Sequence, residues 1–161
     1  MIKWIVKKGF WKDKIYNEQS ELAAYTKGCF GNNRYSVYSS GKELVYTIRE
    51  SSGSSCNCCE IVTTDGSIIY AKIKLAEQRS MLKPPRAEML TMSIESVRYE
   101  IRQTENRMFD IYVNGNLAGR ISGILNKKTD IVISGEGAEK IIGLLYALSL
   151  YMLHEDDVEI I

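Results

Sequence analysis

Both tryptophans of the chain and five of its lysines fall in one short stretch, Lys3-Trp4-Ile5-Val6-Lys7-Lys8-Gly9-Phe10-Trp11-Lys12-Asp13-Lys14. Lysine beside an indole ring suits an acidic lipid headgroup. The ring lies at the boundary between water and hydrocarbon, and each cation near an anionic surface adds about 1 kcal/mol. The candidates for such a contact are Lys3, Lys7, Lys8, Lys12, Lys14, Trp4 and Trp11, with Arg79 and Lys83 from a distant loop, next to Arg86, able to add to the patch. The competing reading is an ordinary first hairpin with solvated lysines and inward-packed tryptophans.

A second cluster is Cys56-Asn57-Cys58-Cys59. Close thiols invite a metal or redox reading, but a structural zinc site usually draws a second pair of ligands from elsewhere. The remaining partners are Cys29 and His154 alone. On a strand, Cys56 and Cys58 share one face and Cys59 takes the other, so the three converge only if the strand breaks. Cys56, Cys58 and Cys59 are thus metal or thiol-switch candidates set against buried or half-buried thiols at the start of a strand. No cofactor is expected.

The single histidine, His154, has no nucleophile or orienting acid set out around it, and Glu155-Asp156 reads as a solvated tail. No phosphate-cradling glycine loop is present. Gly115 and Gly119 belong to a hairpin, and Gly135 and Gly137 open a helix. No catalytic residue is assigned, and the expectation is a protein that is not an enzyme.

The elements that must carry these residues are mostly strands. Arg34-Tyr35-Ser36-Val37-Tyr38 runs through Ser39-Ser40-Gly41-Lys42 into Glu43 to Arg49, a strand, tight turn and strand rich in Tyr, Val, Ile and Thr. The unit recurs around Asn17 to Ser20, Thr64-Asp65-Gly66-Ser67 and Val113-Asn114-Gly115-Asn116. Asp-Gly and Asn-Gly are strong hairpin signals because both turn residues must accept positive φ. Ile2 to Val6 and Thr129 to Ser134 add strands. Between Met89 and Gln103 the period-two pattern slips by one residue after Ile94, which implies a bulge or turn near Glu95-Ser96. Glu50 to Ser55 reads as loop, as does Ala76 to Arg86 with its Pro84-Pro85 pair. The count is about a dozen strands.

One helix is expected, from about Ala138 to His154. Glu136 and Glu139 sit at its positive N-terminal end, and the acidic run after His154 ends it. From Ile141 to Leu153 it is apolar on every face, so it must be enclosed or in lipid. Thirteen uncharged residues fall short of the roughly 20 that span a bilayer, which favours enclosure and predicts no transmembrane segment.

The bulk numbers agree with one folded domain over residues 1–161. The chain is 45% hydrophobic and 25% charged, with a net charge of +1, which gives no reason to expect nucleic acid. No secretory signal or lipidation motif is visible, so the cysteines are expected reduced and the protein cytoplasmic, either free or peripheral at a membrane.

A helix apolar all round needs a wall that is apolar on its whole inner face, and a closed antiparallel barrel supplies one. The hairpins Tyr35-Ser-Val-Tyr-Ser-Ser-Gly-Lys-Glu-Leu-Val and Phe109-Asp-Ile-Tyr-Val-Asn-Gly-Asn-Leu-Ala-Gly-Arg-Ile, with the helix Ala138 to Leu153, resemble the tubby C-terminal superfamily, which includes the LURP-one-related proteins and the phospholipid scramblases. The resemblance covers nearly the whole chain and lies in pattern and order rather than in a motif. It implies a mostly-β fold, a closed barrel of about twelve strands around a buried C-terminal helix, and work at membranes. No headgroup-binding position carries over residue by residue, and Glu155-Asp156-Asp157 lacks the spacing of the scramblases' calcium segment. The expected function is a non-enzymatic binding module for acidic phospholipid headgroups or a membrane surface. The alternatives are a protein-interaction or scaffolding domain, and a thiol- or metal-dependent regulator.

Overall fold

The structure is a computed structural model that describes residues 1–28, 33–51, 57–76, 86–104, 107–134 and 137–156, without side chains at 138–139 and 154–156. Twelve strands follow in order: β1 Ile2–Lys7, β2 Asp13–Tyr16, β3 Leu22–Gly28, β4 Tyr35–Ser39, β5 Leu44–Glu50, β6 Cys58–Thr63, β7 Ile68–Leu75, β8 Ala87–Ile94, β9 Val97–Gln103, β10 Phe109–Val113, β11 Asn116–Ser122 and β12 Lys128–Ile133. Each pairs antiparallel with its sequence neighbours, and β1 closes on β12 from Ile2↔Ile133 to Lys7↔Lys128. Closure leaves no sheet edge, and the tubby-like barrel expected from the sequence is the fold observed.

The turn signals act as their chemistry requires. Asn114 and Gly115 take φ of 49° and 84° between β10 and β11. The phase slip after Ile94 is a turn rather than a bulge. Glu95 and Ser96, at φ of 48° and 68°, close a two-residue hairpin on the Ile94↔Val97 pair. Gly119 is demanded by close approach, since a Cβ there would lie 2.2 Å from the Val132 carbonyl oxygen and 2.8 Å from Ile133 Cα.

Alternate residues point inward and meet the closing helix. A 3-10 turn, Ala138–Ile141, leads into α1, Ile142–Asp156. The expected helix therefore differs at both ends. Its first turn is tightened, with the Lys140 N–H bonded to the Gly137 carbonyl at 3.2 Å, and no acid occupies the first turn of α1. It also continues through Asp156, so the acidic residues after His154 do not stop it at once. Leu144, Leu145, Tyr146, Ala147 and Leu148 are all fully buried. The helix is the barrel's filling, packed against β3, β4, β5 and β8. Gly143 permits the tightest approach, where a Cβ would stand 2.8 Å from Val37 Cγ1 and 3.0 Å from Ala24 Cβ. Ser149, buried among these side chains, donates to the Leu145 carbonyl at 2.9 Å and so leaves no unpaired hydroxyl. No helix among the described residues is long and apolar enough to cross a membrane.

Because successive strands alternate in direction, their connections alternate between the two barrel ends. The helix enters beside Ile2 and Ile133. Its far end, where the Tyr151 carbonyl receives Asn33 Nδ2 at 3.5 Å, lies at the end that carries the β1–β2 and β11–β12 loops. That exit end holds the candidate site.

Candidate lipid-facing tip

Register, not sequence distance, assembles the site. Lys7 is paired with Lys128 on one side and Lys14 on the other. Three ammonium groups thus stand side by side on the outer face across β12, β1 and β2. Like charges directly opposite one another destabilise a sheet. The four arginines of the strands are ion-paired: Arg49 meets Glu60 at 2.7 Å, Arg98 and Arg102 flank Glu100 at 2.7 Å each, and Arg120 meets Asp110 at 2.6 Å. None of Lys7, Lys14 and Lys128 forms an ion pair with another described residue.

The two loops above this row are joined. The Lys8 N–H reaches the Lys127 carbonyl at 3.5 Å, and the Lys8 ammonium donates to the Ile124 carbonyl. Burial lowers the Lys8 pKa from the ordinary lysine value, with the nearby Asp13 carboxylate acting in the opposite direction. Asp13 braces the same loop from below. Its carboxylate accepts from the Gly9 N–H at 3.3 Å and from the Tyr146 hydroxyl of α1 at 2.7 Å. Burial, then the Asp13 charge, pushes the Tyr146 phenol far above the usual tyrosine value, so it stays a neutral donor.

What this scaffold presents is apolar. Phe10 is 81% exposed and Trp11 73%, their rings edge to face with centroids 4.8 Å apart. Leu125, at the turn of the neighbouring loop, is 65% exposed. Beside them Lys12 Nζ lies 5.0 Å from the Tyr25 ring centroid and Lys27 Nζ 5.2 Å from that of Tyr38, over a stacked Tyr25–Tyr38 pair. Lys7 covers Tyr16 at 5.1 Å. The ammonium groups of Lys7, Lys12 and Lys27 therefore lie over aromatic faces.

The structure divides the candidates read from sequence. Trp4 is only 4% exposed and belongs to the core, because Trp4 and Val6 alternate inward on β1. Lys8 is half-buried and occupied in holding the loops. Lys3 lies at the opposite end of β1. Lys7, Lys12, Lys14 and Trp11 come together, while Arg79 and Lys83 lie outside the described residues. Sequence reasoning passed over Phe10 as a site residue and missed Leu125, Lys27, Lys127 and Lys128. The signal for the last pair was a lone exposed-looking leucine in the turn Leu125-Asn126-Lys127-Lys128.

The thiols are separated as strand geometry requires. Cys59 is fully buried in the core and Cys58 half-buried on the outer side, while Cys56 and Cys29 lie outside the described residues. Among the described residues no group of three metal-ligating side chains is found. His154 lies in the last turn of α1, and its side chain lies outside those described.

No known family model matches the chain, and no curated protein is matched by sequence. A crystal structure of a protein from Arabidopsis thaliana shares the fold, with a TM-score of 0.52, 12% identity, and coverage of 91% of this chain and 88% of that one. Together with the barrel and its enclosed helix, this places the chain among proteins of tubby-like fold.

Proposed function

We propose that the protein is a non-enzymatic module that docks on anionic membrane surfaces with the exit end of its barrel. The observation that carries this reading is the juxtaposition of exposed Phe10, Trp11 and Leu125 with the Lys128–Lys7–Lys14 row. The apolar groups enter the headgroup boundary, and the lysines meet lipid phosphates. An anionic cover would relieve the mutual repulsion of the row, which nothing in the described fold neutralises. The hairpin pattern and the fold likeness agree with the resemblance to the tubby superfamily, which implies work at membranes.

Sedimentation with vesicles of phosphatidylcholine alone, or with one fifth phosphatidylserine, tests the proposal. Binding is expected on the anionic vesicles and is weakened by salt. Each of Lys7→Glu and Lys128→Glu is expected to cost at least fivefold, at about 1 kcal/mol per charge near the surface. Trp11 fluorescence should be quenched by lipids brominated near the headgroup, with buried Trp4 as the unquenched internal reference. Equal sedimentation on neutral and anionic vesicles, or full binding by a Phe10→Ser/Trp11→Ser variant, would overturn it.

A further inference from the structure

The helix that fills the barrel leaves it at the tip, and it carries acids there. The Tyr146 hydroxyl is bonded to Asp13 at 2.7 Å, and Asp13 precedes Lys14 on β2. From Tyr146 the helix runs on for about 15 Å to Asp156. Tyr151, Met152 and Leu153 are still buried, and the Asn33 contact with the Tyr151 carbonyl fixes this stretch at the exit end. The backbone of Glu155 and Asp156 therefore lies at the exit end, and Asp157 and Glu159 follow in sequence.

Two electrostatic costs meet at this end. The carbonyls of a helix C-terminus carry partial negative charge, so the last turn favours cations and disfavours acids. Glu155 and Asp156 are acids in the last turn of α1. At the rim, Lys128, Lys7 and Lys14 stand opposite one another in register, with no ion pair to another described residue. Lys12 and Lys127 lie in the two loops above them. The arginines of the strands offer the acids little, being held already by Glu60, Glu100 and Asp110. Reach is sufficient. Each residue beyond Asp156 adds up to about 3.5 Å, so Glu159 can stand about 10 Å from the helix end, and packed layers are separated by about the same distance.

We propose that Glu155, Asp156, Asp157 and Glu159 fold onto the lysines of the tip and cover them until an anionic membrane displaces them. The proposal rests on the tip being the membrane-facing surface, and it names what regulates that surface. Carboxylates of the acidic run and phosphates of the lipid compete for the same ammonium groups. The apparent affinity for a membrane is then lowered in proportion to the fraction of molecules left uncovered.

Zero-length carbodiimide coupling of the full chain, in dilute solution without lipid, tests the contact. Mass-spectrometric mapping is expected to find carboxylates of the acidic run joined to Lys7, Lys12, Lys14, Lys127 or Lys128. Lys74 and Glu88, 3.9 Å apart, are the positive control, and Lys42 at the helix-entry end is the negative one. The links should fade as anionic vesicles are added and persist with neutral ones. Sedimentation with vesicles containing one fifth phosphatidylserine tests the shielding. The variant Glu155→Gln/Asp156→Asn/Asp157→Asn/Glu159→Gln is expected to bind at least fivefold more tightly than the parent. In a Lys7→Glu/Lys128→Glu background the same four changes should gain less than twofold, because the acids there have lost their main partners. A gain that persists in that background reports plain repulsion between the acids and the membrane, and overturns the proposal. Links to Lys83 alone, or none at all, overturn it too and leave the reading of the tip intact. Links to the tip in a protein whose neutralised variant ignores anionic vesicles uphold the contact and overturn the membrane reading instead.

Discussion

Leu148 is the place to test whether the helix is the barrel's filling. It is fully buried midway along α1, which packs against β3, β4, β5 and β8 within the closed barrel. Truncation to alanine removes three methylene-sized groups from a site that cannot collapse, because a closed ring of hydrogen-bonded strands holds the wall in place. Leu→Ala costs span roughly 2–5 kcal/mol, and the least compliant sites lie at the upper end. About 4 kcal/mol is therefore expected for Leu148→Ala. For a chain of this size each kcal/mol lowers Tm by about 2–4 °C, so the loss is roughly 8–16 °C. Leu148→Asp places a charge with no partner in the same position. Its cost exceeds what a domain with about 5–15 kcal/mol of total stability can absorb. Urea denaturation followed by Trp4 fluorescence, in a Trp11→Phe background, measures both. If Leu148→Asp folds with a midpoint close to that of the parent, the helix is not enclosed and the reasoning fails. A helix that served as an anchor would instead give a folded protein that merely leaves vesicles.

Tyr146→Phe removes the hydroxyl that Asp13 accepts, and a hydrogen bond to a charged group is worth about 1.5–3 kcal/mol, read as a shift in urea midpoint at pH 7. Tyr146 also sets a pH dependence. Its pKa is raised in the folded state, so stability is full below the unfolded tyrosine value of 10.0 and falls as pH rises above it, where only the unfolded chain ionises. The alkaline limb of a stability–pH curve should be shallower in Tyr146→Phe, and an identical limb would refute the assignment. Gly119→Ala forces a Cβ onto the Val132 carbonyl and is expected to cost about 3 kcal/mol or to prevent barrel closure, as seen in soluble yield and melting temperature. Lys8→Gln unties the two tip loops. It should speed amide exchange at Gly9 and Leu125 and weaken vesicle binding, whereas Lys12→Gln should weaken binding with Tm unchanged.

The sequence by itself determined what depends on neighbours along the chain. Strand alternation, the Asp65-Gly66 and Asn114-Gly115 turns, and the break after Ile94 are local backbone chemistry, and each could be read from its own few residues. The enclosed helix was legible too, since Ile141 to Leu153 has no polar face to offer water and is too short for a bilayer. The tip was half legible. Its lysines and Trp11 stand together in sequence, but nothing local shows that Trp4 points inward while Trp11 stands on a turn. That parity is set by where β1 ends. Tertiary structure alone decided the rest, because barrel closure brings residues about 120 positions apart into register. Only the β1–β12 pairing sets Lys128 beside Lys7, ties Lys8 to Ile124 and so joins the loop of Leu125 to the loop of Phe10 and Trp11.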